Sequence, residues 1–444
     1  MRISFFIALL FIWGPASARP HPPVAIELGL GFSHSCARFA DGNVKCWGDG
    51  HDGQHGHESP EVLGDAPNEV GVALADVNFG GRSNTASLAS GGMSTCALLE
   101  DGALKCWGFN RYGELAIGTS GTVGNAPNQM GNFLRPARLG ASEAIRQVSA
   151  GSFYACALFE SRRVKCWGQN NAGKLGYGDD ADRGNTPETL DDKIPFVDLG
   201  DESTPVKIAV GANHTCALFE NGRMKCWGYG GTGELGYGDR AARGDDPGEM
   251  GNNLPFVNLG TNERVVQVSI GYSFTCALLE SRRVKCWGLN EVGQLGLGDT
   301  KTRGDDPDEM GDRLPFVDLG TGMIAIGIAS GGSHTCAKLL NGTLKCWGFN
   351  RSGQLGYDDT VNRGDDPGEM GDLLEPVYLG RNVRAESFEL GSSHTCAVLH
   401  SMGQYRGVKC WGENSLGQLG LGHSTNMGDK VGDMRELPFI EFGN

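Results

Sequence analysis

Fourteen cysteines are the residues of this chain best placed to do chemistry. They fall into seven pairs: Cys36 and Cys46, Cys96 and Cys106, Cys156 and Cys166, Cys216 and Cys226, Cys276 and Cys286, Cys336 and Cys346, Cys396 and Cys410. The first members follow one another at intervals of 60 residues, and every second member is followed at once by Trp-Gly. Paired thiols can be bridged, hold a metal or stay free. A C-x9-C spacing is not that of a zinc knuckle, and no histidine keeps step with it. An even count in fixed pairs, in a chain that begins with an export signal, points to seven disulfides.

The second chemical candidate is a set of acidic loops. They read Arg243-Gly-Asp245-Asp246-Pro-Gly-Glu249, Arg303-Gly-Asp305-Asp306-Pro-Asp-Glu309 and Arg363-Gly-Asp365-Asp366-Pro-Gly-Glu369. Hard oxygen ligands this close together could hold Ca2+, although the pattern is not that of an EF-hand loop. The reading set first is structural: an Arg–Asp and turn network that fixes each long loop against its neighbour. No other cofactor is expected. The Arg-Gly-Asp triplets belong to the repeat and carry no integrin reading.

Catalytic chemistry has no foothold. His34, His214, His334 and His394 recur just before the Thr/Ser-Cys pair, but Ser94, Tyr154 and Phe274 fill the same place elsewhere. A slot that accepts Phe is a packing or capping position. The serines lie in no Gly-x-Ser-x-Gly elbow, and there is no Gly-x-x-x-x-Gly-Lys phosphate loop. The chain is expected not to be an enzyme.

The elements that position these residues follow from the period. Each repeat opens with a small, β-branched, apolar run (24–28, 145–149, 206–210, 265–270, 324–329), as a strand buried on both faces should. A glycine-containing loop leads to the strand of the first cysteine. A turn, Asp-Gly or Asn-Gly in four repeats, leads to the strand of the second. A three-residue loop 40–42 with Gly42 left-handed places Phe39 opposite Asn43 and Cys36 opposite Cys46. Directly opposed residues of the closer pair type lie within disulfide reach. Repeats 3 and 5 carry Ser161-Arg162 and Ser281-Arg282 instead of the glycine turn, so a different turn is expected there. Repeat 7 inserts four residues, expected to lengthen its turn. Each tryptophan points away from the cysteine before it, so disulfides and tryptophans should occupy opposite faces of packed sheets. After a long polar loop comes a fourth strand, such as 314–319, and the chain ends in one of this kind, 437–442. Seven repeats of four antiparallel strands make an all-β, seven-bladed β-propeller with one intra-hairpin disulfide per blade.

Composition narrows the partners. A net charge of −15 argues against nucleic acid. The 71 glycines, against a usual share of about 7%, fit tight turns. Residues 1–18 read as a secretory signal: Arg2, an apolar run too short to span a bilayer, and Ala16-Ser17-Ala18 as the cleavage site. The expected mature chain, 19–444, is one propeller, secreted or else held in the periplasm or at the cell surface, monomeric and not inserted in a membrane.

The repeats resemble those of the regulator of chromosome condensation (RCC1) family. The resemblance rests on Val206 to Gly211, His214 to Leu218, Trp287-Gly288-Leu289-Asn290 and Gly293 to Gly296, and it covers essentially the whole mature chain. It implies a seven-bladed propeller. The best-known members are nuclear exchange factors for a small GTPase. An exported, acidic, cysteine-paired chain departs from them, and guanine-nucleotide exchange is not expected. The expected function is a non-catalytic secreted binding or scaffold module that meets an unidentified protein through one propeller face. The alternative is a structural or cell-surface coat protein with calcium in its acidic loops.

Overall fold

In the computed structural model, which describes residues 23–81, 84–140 and 143–443, each period folds into one antiparallel sheet. The first consists of β1 (Ala25–Leu30), β2 (His34–Phe39) and β3 (Val44–Gly48), and six more follow the same order. The expected signal segment lies outside the described residues. Cys36 stands opposite Cys46, Ala37 opposite Lys45 and Arg38 opposite Val44. The turn is closed by Phe39 N–H donating to the Asn43 carbonyl at 2.9 Å. All seven disulfides form within their own hairpins, with Cα atoms 4.0–4.1 Å apart.

The turns of repeats 3 and 5 do not differ from the others. Arg162 and Arg282 adopt the left-handed conformation (φ 64° each) that Gly42, Gly102, Gly222 and Gly342 take elsewhere. Repeat 7 lengthens its strands rather than its turn: they run His394–Ser401 and Gln404–Gly412 around Met402-Gly403.

The sheets have three strands, not the expected four. The stretch 314–319 and its counterparts lie beside the outer strand but make a single ladder bond, such as Val317 N–H to the Val284 carbonyl, 2.8 Å, or Val257 N–H to Met224, 2.8 Å. Two features oppose further pairing in the repeats that carry them. A proline one or two residues earlier (Pro255, Pro315) has no N–H to give the next rung. The groups that rung would have used are taken by a tyrosine hydroxyl: Tyr237 Oη accepts from Cys226 N–H at 3.0 Å and donates to the Cys226 carbonyl at 2.9 Å. Tyr177 and Tyr357 do the same at Cys166 and Cys346. In the first six repeats the lysine before the second cysteine holds this kind of stretch from another side. The Lys285 ammonium donates to the carbonyls of Leu259 (2.8 Å) and Gly311 (2.7 Å), and Lys225 and Lys345 do likewise in their repeats.

The sheets pack face to face through seven apolar cores. Each joins the disulfide of one sheet to the tryptophan of the next: Cys36 and Cys46 meet Trp107, and Cys276 and Cys286 meet Trp347. The seventh core lies between last and first, with Cys396 and Cys410 against Trp47. All seven tryptophans are fully buried, so they are core and not an exposed aromatic site. The first strands of all seven sheets surround one central cavity.

Candidate functional site

The middle strand of each sheet runs from the Gly-x-x-His loop to the hairpin tip, and the outer strand returns, so that His34 pairs with Gly48. The Gly-x-x-His loops and the long acidic loops therefore share one end of the molecule, and the hairpin tips occupy the other.

The recurring histidines couple neighbouring repeats. His34 Nε2 lies 2.9 Å from Thr95 Oγ1, His214 Nε2 2.7 Å from Thr275, His334 Nε2 3.0 Å from Thr395, and His394 Nε2 2.9 Å from Ser35. The hydroxyls give their own proton to a loop carbonyl, as Ser35 does to Gln418 at 2.8 Å and Thr275 to Glu234 at 2.9 Å. Nε2 must then carry the ring proton and donate. The tryptophans use the same carbonyls: Trp47 Nε1 donates to Gln418 at 3.0 Å and Trp287 Nε1 to Glu234 at 3.0 Å. Burial lowers the pKa of His34 to about 4 and those of His214, His334 and His394 to about 3. These are neutral connectors without acid–base use at neutral pH. Tyr154 substitutes in repeat 3, accepting from Thr215 and donating to the His214 carbonyl.

The nine acidic candidates split by role. Glu249, Glu309 and Glu369 each close their own loop through Oε2, which accepts two backbone N–H groups; for Glu309 these come from Gly304 (2.8 Å) and Asp306 (3.2 Å). Asp305 is buried and bonds Arg240 of the preceding repeat at 2.7 Å. Burial raises the pKa of Asp245, with the Glu249 charge adding to it. Asp246, Asp306 and Asp366 keep their carboxylates at the loop surface and Asp365 is half-buried. Each long loop leans on the repeat before it: Gly238 N–H donates to Gly304 and Gly298 N–H to Gly364, both at 3.0 Å. Arg243, Arg303 and Arg363 pair at 2.7–2.8 Å with Asp239, Asp299 and Asp359 four residues earlier. Among the described residues no group of three or more His, Cys, Asp or Glu side chains converges in a metal-holding arrangement.

Sequence reasoning missed an aromatic cluster at the centre of the loop face. Phe32 meets Tyr272 across the ring (centroids 5.6 Å apart) and Phe153 (6.3 Å). Phe153 also meets Phe109 (5.6 Å) and Tyr112 (6.0 Å). These rings are half-buried, and Tyr229 nearby in sequence pattern is 42% exposed. None belongs to the repeat: the place of Phe32 is held elsewhere by Gly92, Ser152, Ala212, Gly332 and Ser392. That departure from the period was the available signal. Backbone bonds tie the platform together, including Phe32 N–H to Gly92 and Ser392 N–H to Gly31.

The hairpin face offers less. Three of its cations are engaged: the guanidinium carbons of Arg163, Arg223 and Arg283 lie 3.7, 3.7 and 3.5 Å above the rings of Phe196, Phe256 and Phe316, contacts that hold the 194–199 type of stretch to its sheet.

Comparison with known proteins agrees with this architecture. The ultraviolet-B receptor UVR8 of Arabidopsis thaliana is 28% identical over 413 residues, 91% of this chain and 80% of the receptor. The probable E3 ubiquitin-protein ligase HERC6 of Homo sapiens is 30% identical over 280 residues, 62% of this chain but only 24% of the ligase. Among solved structures, yeast RCC1 (Prp20) bound to Kap60 superposes with a TM-score of 0.65 at 20% identity, covering 95% of this chain and 90% of that one. Human WBSCR16 gives 0.63 at 17% identity, covering 87% and 93%. The regulator of chromosome condensation (RCC1) repeat is matched at 26–54, 86–114, 145–174, 206–234, 265–294 and 325–354, and in its longer form at 163–218, 221–278 and 341–398. Together these matches span more than half of the chain, which belongs to the RCC1 repeat family.

Proposed function

We propose that this chain is a closed seven-bladed propeller acting as a non-catalytic, exported binding module, and that it meets a protein partner through the loop face. The observation that carries the reading is the aromatic platform of Phe32, Phe109, Tyr112, Phe153 and Tyr272 inside a rim of acidic loops. Aromatic side chains at the centre of a surface with charged residues around it have the anatomy of an interface. The fold does not require these rings, because five other repeats are built without an aromatic at the Phe32 position. Carboxylates of Asp246, Asp306 and Asp366 at the rim favour a partner with a basic surface. Seven disulfides favour an oxidising compartment, and no helix among the described residues is long and apolar enough to cross a membrane. Calcium is no part of this reading, since the glutamates of the loops already serve backbone N–H groups. One solved relative, Prp20p of Saccharomyces cerevisiae, is described for its binding to Gsp1p and histones; a protein partner for this chain is of the same general kind.

The test is recovery of partners from the native extracellular medium with the parent chain, with Phe109→Ala plus Phe153→Ala, and with Arg162→Ala plus Arg282→Ala. The loop-face pair should lose a salt-sensitive, basic partner that the hairpin-face pair retains. Loss only in the hairpin-face pair would refute the assignment of the face.

A further inference from the structure

The central cavity holds a charge that the fold does not need. The residues paired with the first cysteines are Gly29, Ala89, Ser149, Ala209, Ser269, Ala329 and Glu389, and all but Ala329 line it. Six are the smallest side chains available, and together they leave a cavity of about 320 Å³. The seventh is a glutamate.

Glu389 is the only charged residue among those lining the cavity. Its side chain is exposed to solvent within the cavity it lines. Among the described residues no hydrogen bond or ion pair engages its carboxylate, and the charge that acts on it is that of another acid, Glu27. Glu27 is itself held by Arg38 at 2.6 Å, so that cation is committed elsewhere. Reached by solvent and without a partner among the described residues, the carboxylate is open to a cation that enters the cavity.

Two further groups in the cavity lack partners. The side-chain oxygens of Ser90 and Ser330 are buried without a hydrogen bond, and both residues line the space. Phe32 and Tyr272 line it as well, with their rings in edge contact toward the loop face. One carboxylate, hydroxyl acceptors and aromatic rings around a space of this size are the elements of a site for an organic cation. They are a poor match for Ca2+, which takes six to eight oxygen ligands.

We propose that the central cavity binds a small organic cation, an ammonium or guanidinium compound, with its charge on Glu389. The cavity shares Phe32 and Tyr272 with the docking platform, but the platform is tested at Phe109 and Phe153, which do not line the cavity, so either reading can fail alone. The probe is benzylammonium, titrated into the disulfide-intact chain and followed by saturation-transfer NMR and calorimetry, with benzyl alcohol as the neutral counterpart. Benzylammonium should bind with a dissociation constant of about 1 mM or tighter, and benzyl alcohol about tenfold more weakly or not at all. Glu389→Gln should weaken benzylammonium by about tenfold or more while the unfolding midpoint stays near that of the parent. Ser149→Leu, which fills the cavity without touching the charge, should abolish binding and serves if the first variant does not fold. The proposal is overturned if benzylammonium fails to bind at about 10 mM, if benzyl alcohol binds equally well, or if both variants bind as the parent does.

Discussion

His214 shows what a single side chain contributes here. Its folded pKa of about 3 lies below the ordinary 6.5, so between those values the unfolded chain takes up a proton that the folded chain refuses. Stability therefore falls as pH drops below 6.5, by about 1.4 kcal/mol per pH unit for each such histidine. His34, His55, His334 and His394 are depressed by burial in the same sense. Glu114 works against them: burial raises it to about 7, so its contribution is lost as pH rises from the ordinary 4.5 toward 7. Five histidines outweigh one carboxyl. The urea midpoint should fall from pH 7.5 to pH 5.5. His214→Phe, a residue already accepted at Phe274, should change stability little at pH 7.5 and remove one histidine's share of the slope, about 1.4 kcal/mol per pH unit. An unchanged slope would mean that His214 is protonated in the folded chain.

The hairpin is the element on which the repeat is built, and its turn tolerates an imperfect residue. Arg162 and Arg282 sit at φ 64° where four repeats have glycine. A non-glycine residue there carries backbone strain of order 1 kcal/mol, and glycine relieves it at some entropic cost in the unfolded chain. Arg162→Gly and Arg282→Gly should each stabilise by about 0.5–1 kcal/mol, read as a higher urea midpoint with unchanged m. The stacking residues Arg163 and Arg283 are untouched by these changes. A lower midpoint in both variants would show that the arginine side chains themselves contribute. The same hairpin explains the third strand's free edge: where a tyrosine hydroxyl already serves both backbone groups of Cys226, a fourth strand has nothing to pair with.

At the scale of the molecule, the last repeat must join the first. Phe442 packs on Phe39 and Trp47, with centroids 5.0 and 5.5 Å away. Gly71 N–H donates to Glu441 at 2.8 Å, His394 meets Ser35 and Trp47 meets Gln418. Phe442→Ala empties a buried aromatic site at this junction and should cost about 3–5 kcal/mol. Because every sheet shares a core with both neighbours, the loss should lower the single unfolding transition of the whole chain rather than free the seventh repeat alone. A separate early transition for repeat 7, seen in calorimetry, would show that the repeats unfold independently.

The amino-acid sequence alone determined the period, the hairpin register and the disulfide partners, because a turn of three residues leaves Cys36 only one residue to face. It also determined that cysteine and tryptophan occupy opposite faces, since strand side chains alternate. Other features depended on contacts between residues far apart in the chain. Whether 254–259 pairs as a strand was settled by competition between Pro255, the Tyr237 hydroxyl eighteen residues before it and the Lys285 ammonium, which holds the Leu259 carbonyl. The aromatic platform and the lone carboxylate of Glu389 escaped a reading tuned to what recurs, because both are departures from the repeat. Phe32, Phe153 and Tyr272 lie 60 residues or more apart in the chain and become neighbours only when seven sheets surround one axis.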